Sequence, residues 1–178
     1  MMIRLGVIGM GSRARAVIRA IEQFGTAKLS AVADPEAERI KAELADTYNE
    51  VQWYVDADQM LAEATLDAVL VGTRCSLHVK MAIKVAERGL PLFLEKPVAT
   101  DYKSLAHLQR VYEKHPIPVV VSFPLRVSQI VQRVKEIIDS GYIGTVENVQ
   151  AFNNVPYGDI YYANWYRDSV ETGGLWLQ

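Results

Sequence analysis

Ile3-Arg4-Leu5-Gly6-Val7-Ile8 runs directly into Gly9-Met10-Gly11-Ser12-Arg13-Ala14. The first six residues have the apolar density of a short buried strand. From Ala14 onward, Val17, Ile18 and Ile21 return at helical spacing, so the second six form the turn between a strand and an amphipathic helix. Strand, glycine turn and helix in that order open a dinucleotide-binding unit. Gly9 permits the tight turn, and Gly11 lets the backbone approach a diphosphate. Ala14 takes the third place, where a small side chain lets helix pack on strand. Met10, Ser12 and Arg13 complete the turn, and the free N–H groups of the helix face an anion with its positive dipole end. A glycine-rich turn alone is a weak signal; its place between a strand and a periodic helix gives it weight.

A second strand, Ala27 to Ala33, ends at Asp34. That acid stands near the ~20 residues beyond the glycine turn where a ribose-binding carboxylate is expected. Asp34-Pro35 also opens a helix over about 35–48, so Asp34 doubles as an expected N-cap. Its charge favours NAD over NADP, with Ser12, Arg13 and Arg39 close enough in sequence to take a 2′-phosphate instead.

Further strands are expected at Val51–Val55, Leu66–Val71, Leu92–Leu94 and Val119–Val121. Helices are expected at Asp58–Ala64, Ser76–Arg88 and Tyr102–Lys114, with Gly89 closing the second of these. This alternation predicts a doubly wound parallel sheet with right-handed crossovers and ligands at the carboxyl ends of its strands. Gly9 to Ala14, Asp34, Thr73 and Glu95-Lys96-Pro97 all fall at such ends. The expected division is a dinucleotide-binding Rossmann domain over 1–121 and the beginning of a second α/β domain over 122–178. In the latter, Ser128–Ser140 reads as a helix with Ile130, Val131, Val134, Ile137 and Ile138 on one face. Val146–Phe152 reads as a strand. From Asn153 onward there is no period, only a run rich in Tyr157, Tyr161, Tyr162, Trp165, Tyr166 and Trp176; a run this long without elements either lines a site or lacks its partner elements.

Composition narrows the function. The chain has 178 residues, 50% of them hydrophobic, and a formal net charge of −2, which makes no electrostatic case for nucleic acid or an anionic membrane. No apolar run reaches the ~20 residues of a membrane span, and the N-terminus carries no leader pattern. A lone cysteine, Cys75, excludes an internal disulfide and fits a reducing, cytoplasmic setting. Cys75 reads as a small buried side chain rather than a nucleophile. His78, His107 and His115 have no metal-ligand spacing, so no metal is expected.

Gly9-Met10-Gly11-Ser12-Arg13-Ala14, Asp34, Thr73, His78, Glu95-Lys96-Pro97, Arg126 and Gly144 in Tyr142-Ile143-Gly144-Thr145 together resemble the Gfo/Idh/MocA family. The Glu-Lys-Pro tripeptide is its most specific short motif. The resemblance implies a nicotinamide-dinucleotide domain, NAD or NADP, followed by an α/β domain with a large open sheet. It implies hydride transfer between the nicotinamide and a sugar or polyol carbon, and a homo-oligomer formed through the second domain. By resemblance Lys96 reaches the reacting oxygen, where a cation stabilises a developing alkoxide, and Glu95 accepts from a ribose or nicotinamide group. Thr73, Arg74 and His78 lie near the cofactor, and Arg126 faces the substrate. Arg74 stands where relatives usually have proline. The family's glycine pair is matched by Gly173-Gly174, but the aspartate and histidine that follow it in relatives do not appear before Gln178. The expectation is therefore a chain cut inside the second domain and inactive by itself. Two other classes stay open: a nucleotide-binding module without catalysis, and a methyltransferase using S-adenosylmethionine, against which Glu95-Lys96-Pro97 argues.

Overall fold

A computed structural model of the chain describes residues 2–152, 154 and 158–174. Six parallel strands form one sheet in the order β3-β2-β1-β4-β5-β6. They are β1 (Ile3–Ile8), β2 (Ala27–Ala33), β3 (Gln52–Tyr54), β4 (Ala68–Val71), β5 (Leu92–Leu94) and β6 (Val119–Val121). The strand order turns back on itself between β1 and β4, the place where open α/β sheets bind ligands. Helices α1 (Ser12–Gln23), α2 (Ala37–Leu44), α3 (Ala57–Glu63), α4 (His78–Glu87) and α5 (Tyr102–Lys114) connect the strands.

Alternation along the strands builds two cores. Leu5, Val7, Leu29, Val32 and Leu70 pack with Ile18 of α1 and Ile40 of α2 on one face. Ile8, Ala31, Val69, Val71 and Leu94 pack with Met60 of α3, Ala82 and Val85 of α4 and Leu108 of α5 on the other. Because both faces are covered, the central strands need apolar residues at consecutive positions, the near-continuous runs seen in the sequence.

Most expected elements stand where their patterns put them, with trimmed ends. Residues 35–48 depart from expectation: α2 starts only at Ala37, with Glu36 as N-cap. The Asp34 carboxylate is not spent on that helix. It accepts the Glu36 N–H at 2.9 Å and, across the sheet edge, the Met10 N–H at 2.8 Å.

Beyond β6 the chain changes character. Helix α6 (Gln129–Asp139) forms as expected, capped by Ser128, whose Oγ accepts the Val131 N–H. Its Ile130 and Val134 remain exposed at 75% and 51%. The strand expected at Val146–Phe152 is not one: no ladder forms there. A strand exists only through its partner's hydrogen bonds, and no second sheet exists among the described residues to supply them. Two short helices appear where no period was legible, α7 (Asp159–Ala163) and α8 (Ser169–Thr172). Asn153, Tyr157, Trp176 and Gln178 lie outside the described residues.

One ion pair fixes β1 against the entry to β4. Arg4 donates from its backbone N and from Nε to Asp67 Oδ2 at 2.8 and 2.9 Å, and from Nη2 to Oδ1 at 2.8 Å. These bonds hold the Asp67 carboxyl well below the usual carboxylate range. A depressed pKa contributes stability that is present above the unfolded value of ~3.9 and lost as pH falls toward the folded one. Thermal unfolding of Asp67→Asn should therefore lie below the parent at pH 7, with the two curves converging as the pH is lowered through the carboxylate range. A gap that stays constant with pH would assign the effect to shape rather than charge.

Candidate functional site

The glycine turn leaves β1 beside the end of β4. Gly9 has φ +87°, and a Cβ there would lie 2.8 Å from the Thr73 backbone, so both conformation and space demand glycine. Gly72 repeats the demand from the other side, because its Cβ would meet that of Ala14 at 2.9 Å. Ala14 is fully buried, in the helix-on-strand contact for which a small third residue was expected. Gly11 differs: a Cβ there would meet nothing within 4 Å. The space above Gly11 belongs to a cleft.

That cleft, of about 440 Å³, runs along the carboxyl ends of the strands. Its wall contains Gly9, Gly11, Ser12 and Arg13 from the turn, Asp34 from β2, and Thr73, Arg74 and Cys75 after β4. His78, Glu95 and Lys96 complete this side. Every candidate of the cofactor set except Met10 lines it; Met10 is buried beneath the turn and its N–H reaches Asp34. The first turn of α1 contains no acidic residue to neutralise its positive end, which leaves its N–H groups available to an anion. Arg126 is elsewhere. It lines a second, largely apolar groove with Tyr102, Phe123 and Leu125, and Lys96 borders both spaces.

Glu95 is buried at 6% exposure, and its Oε1 has no hydrogen-bond partner among the described residues. An unpaired buried carboxylate oxygen is costly, and one at the wall of a cleft is matched to a ligand donor such as a hydroxyl or amide. Open space over Gly11 and this oxygen are the two features that fit a dinucleotide at opposite parts of one cleft.

His78 is buried at 1%. Its Nδ1 donates to the Pro97 carbonyl at 2.6 Å, and Nε2 lies 3.2 Å from the Thr73 carbonyl. The ring lines the cleft but spends its nitrogens on the two loops that carry Thr73 and Lys96, on either side of a cis Lys96-Pro97 peptide. Cys75 is buried, and burial pushes its thiol up from the ordinary value, with the Lys96 charge opposing. That agrees with a packed side chain rather than a nucleophile.

The far wall comes from the aromatic run for which lining a site is one of two readings, though none of its residues is among the site residues expected from the sequence. Tyr161, Trp165 and Tyr166 line the same cleft. Trp165 and Tyr166 stack with ring centroids 4.0 Å apart, and Tyr166 lies 5.1 Å from Tyr161. Glu171 of α8 holds this wall in place: it accepts from Ser76 Oγ and pairs with Arg74 at 3.4 Å, while the Arg74 guanidinium lies 5.6 Å from the Trp165 ring. The aromatic richness of the tail was the one available signal. Among the described residues no group of three or more His, Cys, Asp or Glu side chains comes together as a metal site, and no helix is long and apolar enough to cross a membrane.

Residues 3–123 match the Gfo/Idh/MocA family, described as "Oxidoreductase family, NAD-binding Rossmann fold". The rhizopine catabolism protein MocA of Rhizobium meliloti is 28% identical over 149 residues, 84% of this chain and 46% of that protein. An inositol 2-dehydrogenase/D-chiro-inositol 3-dehydrogenase of Lacticaseibacillus casei is 29% identical over 166 residues, 92% of this chain and 48% of that one. The chain thus spans about half the length of these curated relatives. Among solved structures, the WlbA dehydrogenase of Bordetella pertussis in complex with NADH and UDP-GlcNAcA superposes with a TM-score of 0.74 at 30% identity, over 81% of this chain and 44% of that one. A scyllo-inositol dehydrogenase from Lactobacillus casei with bound NAD(H) and scyllo-inositol shares the fold, with a TM-score of 0.85 over 99% of this chain and 52% of its own, at 23% identity.

His78→Ala should lower the unfolding free energy by about 1–3 kcal/mol, the range for leaving a buried carbonyl without its donor, measured by urea denaturation. A variant as stable as the parent would mean that His78 does not join the two loops.

Proposed function

Because the chain belongs to the Gfo/Idh/MocA oxidoreductase family, with its NAD-binding Rossmann fold, we propose that it is the cofactor half of an enzyme moving a hydride between a nicotinamide dinucleotide and a carbinol carbon of a sugar or polyol. The observation that carries this reading is the buried, unpartnered Glu95 Oε1, which shares a cleft with Lys96 and with the unfilled space over Gly11. Inositol dehydrogenases among the relatives support the substrate class.

Each residue has a part in this reading. Gly11, Ser12 and Arg13 receive the diphosphate on backbone N–H groups and the α1 dipole, while Gly9 and Met10, whose N–H groups are held by Ala33 and Asp34, shape the turn beneath it. Asp34 receives the adenosine ribose. Thr73 and Arg74 flank the nicotinamide end, His78 holds their loop against Pro97, and Glu95 accepts from a cofactor hydroxyl or amide. The bound nicotinamide supplies the hydride acceptor or donor. Lys96, bordering both the cleft and the second groove, holds the reacting oxygen and stabilises the charge that develops on it. Arg126, in the second groove, faces the substrate.

The same reading divides the chain into a Rossmann domain over 1–121 and the beginning of a substrate domain over 122–178. The uncovered apolar face of α6 supports a second body of structure against it. The enzyme works in the cytoplasm as a homo-oligomer assembled through that second domain.

Gly11→Val tests the cofactor site. A Cβ there meets no protein atom within 4 Å, so thermal unfolding should match the parent while NADH binding, followed by calorimetry, is lost. NADH binding equal to the parent's would remove the glycine turn from the site. For Lys96, the expectation in the enzyme with both halves present is a kcat lower by about 10²–10⁴ in Lys96→Met, with NADH affinity retained. Unaltered turnover would exclude Lys96 from the proton path.

A further inference from the structure

Beyond Asp34 the cofactor cleft continues into a side cleft of about 410 Å³, whose wall includes Arg15, Arg19, Asp34, Glu36 and Arg39. Asp34, Glu36, Gly11 and Ser12 belong to both spaces. If the dinucleotide reading holds, this is where the adenosine ribose carries a free 2′-hydroxyl in NAD or a 2′-phosphate in NADP. Arginines in its wall would ordinarily make it a phosphate site, since a guanidinium fork matches phosphate oxygens.

Here the forks of Arg39 and Arg15 are occupied. Arg39 donates from Nε to Glu36 Oε2 at 2.8 Å and also from Nη2 to the same oxygen. From Nη1 it reaches Glu43 Oε2 at 3.3 Å. Arg15 holds Glu43 from the other side, Nη1 to Oε1 at 2.5 Å and Nη2 to Oε2 at 3.2 Å, and spends its Nε on the Met10 carbonyl at 3.0 Å. The result is a chain of alternating charge, Glu36–Arg39–Glu43–Arg15, in which Glu36, Arg39 and Arg15 line the cleft and Glu43 joins the two arginines. Glu43 lies below the usual carboxylate range, chiefly through its bonds from Arg15. Asp34 is anchored separately on the N–H groups of Met10 and Glu36.

Asp34 and Glu36 thus line the 2′-position, and Arg15 and Arg39 are already shared between Glu36 and Glu43, which leaves Arg19 as the wall's remaining cation. Exposed ion pairs such as Arg39–Glu36 contribute little to folding, so stability does not account for two acids here. Their effect on an incoming dianion is larger. It meets the repulsion of Asp34, Glu36 and Glu43 and must displace a carboxylate to reach Arg39.

We propose that Glu36 and Glu43 are specificity-determining residues that hold Arg39 away from a 2′-phosphate, so that this chain selects NAD over NADP by more than Asp34 alone. Glu43, on the second turn of α2, is far from the position at which such a choice is usually sought. Arg15 orders Glu43 for this part.

The test is titration of the chain with NADH and with NADPH, reading the ratio of the two dissociation constants. The parent should favour NADH. Glu43→Gln should bind NADH as the parent does and bind NADPH more tightly. Glu36→Gln/Glu43→Gln should shift the ratio toward NADPH by about tenfold, the value of a charge-assisted hydrogen bond gained, and the shift should shrink with added salt. Arg39→Ala in that double variant should cancel the shift, while Arg39→Ala in the parent should leave NADPH affinity as it was. A double variant that binds NADH but shows the parent's ratio overturns the inference, and so does a shift that survives Arg39→Ala. Absence of NADH binding in the parent would overturn the dinucleotide reading on which it rests.

Discussion

The approach of Gly9 to Thr73 constrains everything else at the site. With φ at +87° and the Thr73 backbone 2.8 Å from where a side chain would begin, the chain leaves β1 sharply and against the end of β4. Only this sharp exit lets α1 begin at Ser12, set Ala14 against Gly72, and direct its first N–H groups into the space above Gly11. Thr73 in turn is held by His78, five residues on in the same segment, and His78 carries the contact on to Pro97. The positions of Glu95 and Lys96 relative to the glycine turn follow from that sequence of contacts. A substitution at Gly9 would move the whole floor of the cleft.

Charge is distributed along the cleft in a way the fold makes natural. The positive end of α1, unneutralised by any acid in its first turn, lies between two carboxylates. Asp34 is solvated and anchored by two backbone N–H groups. Glu95 is buried with an oxygen left over. A molecule suited to such a cleft is anionic in the middle and rich in hydroxyl or amide donors at both ends, which describes a dinucleotide and suits S-adenosylmethionine poorly. The family match agrees.

The sheet was legible because buried strands leave an unmistakable trace: Val69, Leu70 and Val71 must all be apolar when helices cover both faces. Asp34 was legible as a cleft residue by its distance from the turn, but its bond to the Met10 N–H joins residues that follow different strands and leaves no local signature. The same holds for His78, whose partners are backbone carbonyls of loops. The aromatic wall was harder still. Tyr161, Trp165 and Tyr166 lack a period because α7 and the single 3-10 turn Trp165–Arg167 are too short to show one, and the wall is held by Glu171 reaching Arg74 and Ser76, 97 and 95 residues away. Val146–Phe152 shows the opposite failure: it reads as a strand and is not one, because a strand takes its hydrogen bonds from a neighbour, and none stands beside it among the described residues.

The central claim is that one dinucleotide occupies the cleft running from Asp34 past the glycine turn to Glu95. Backbone amide chemical shifts of the isotopically labelled chain, followed by NMR while NAD is added, test it most directly. The account requires the perturbed amides to fall at Gly9 to Ala14, Asp34 to Glu36, Thr73 to Cys75 and Glu95 to Lys96, with those of α5 and α6 unmoved. Perturbations gathered instead around Tyr102, Phe123 and Leu125, with the glycine turn silent, would contradict it.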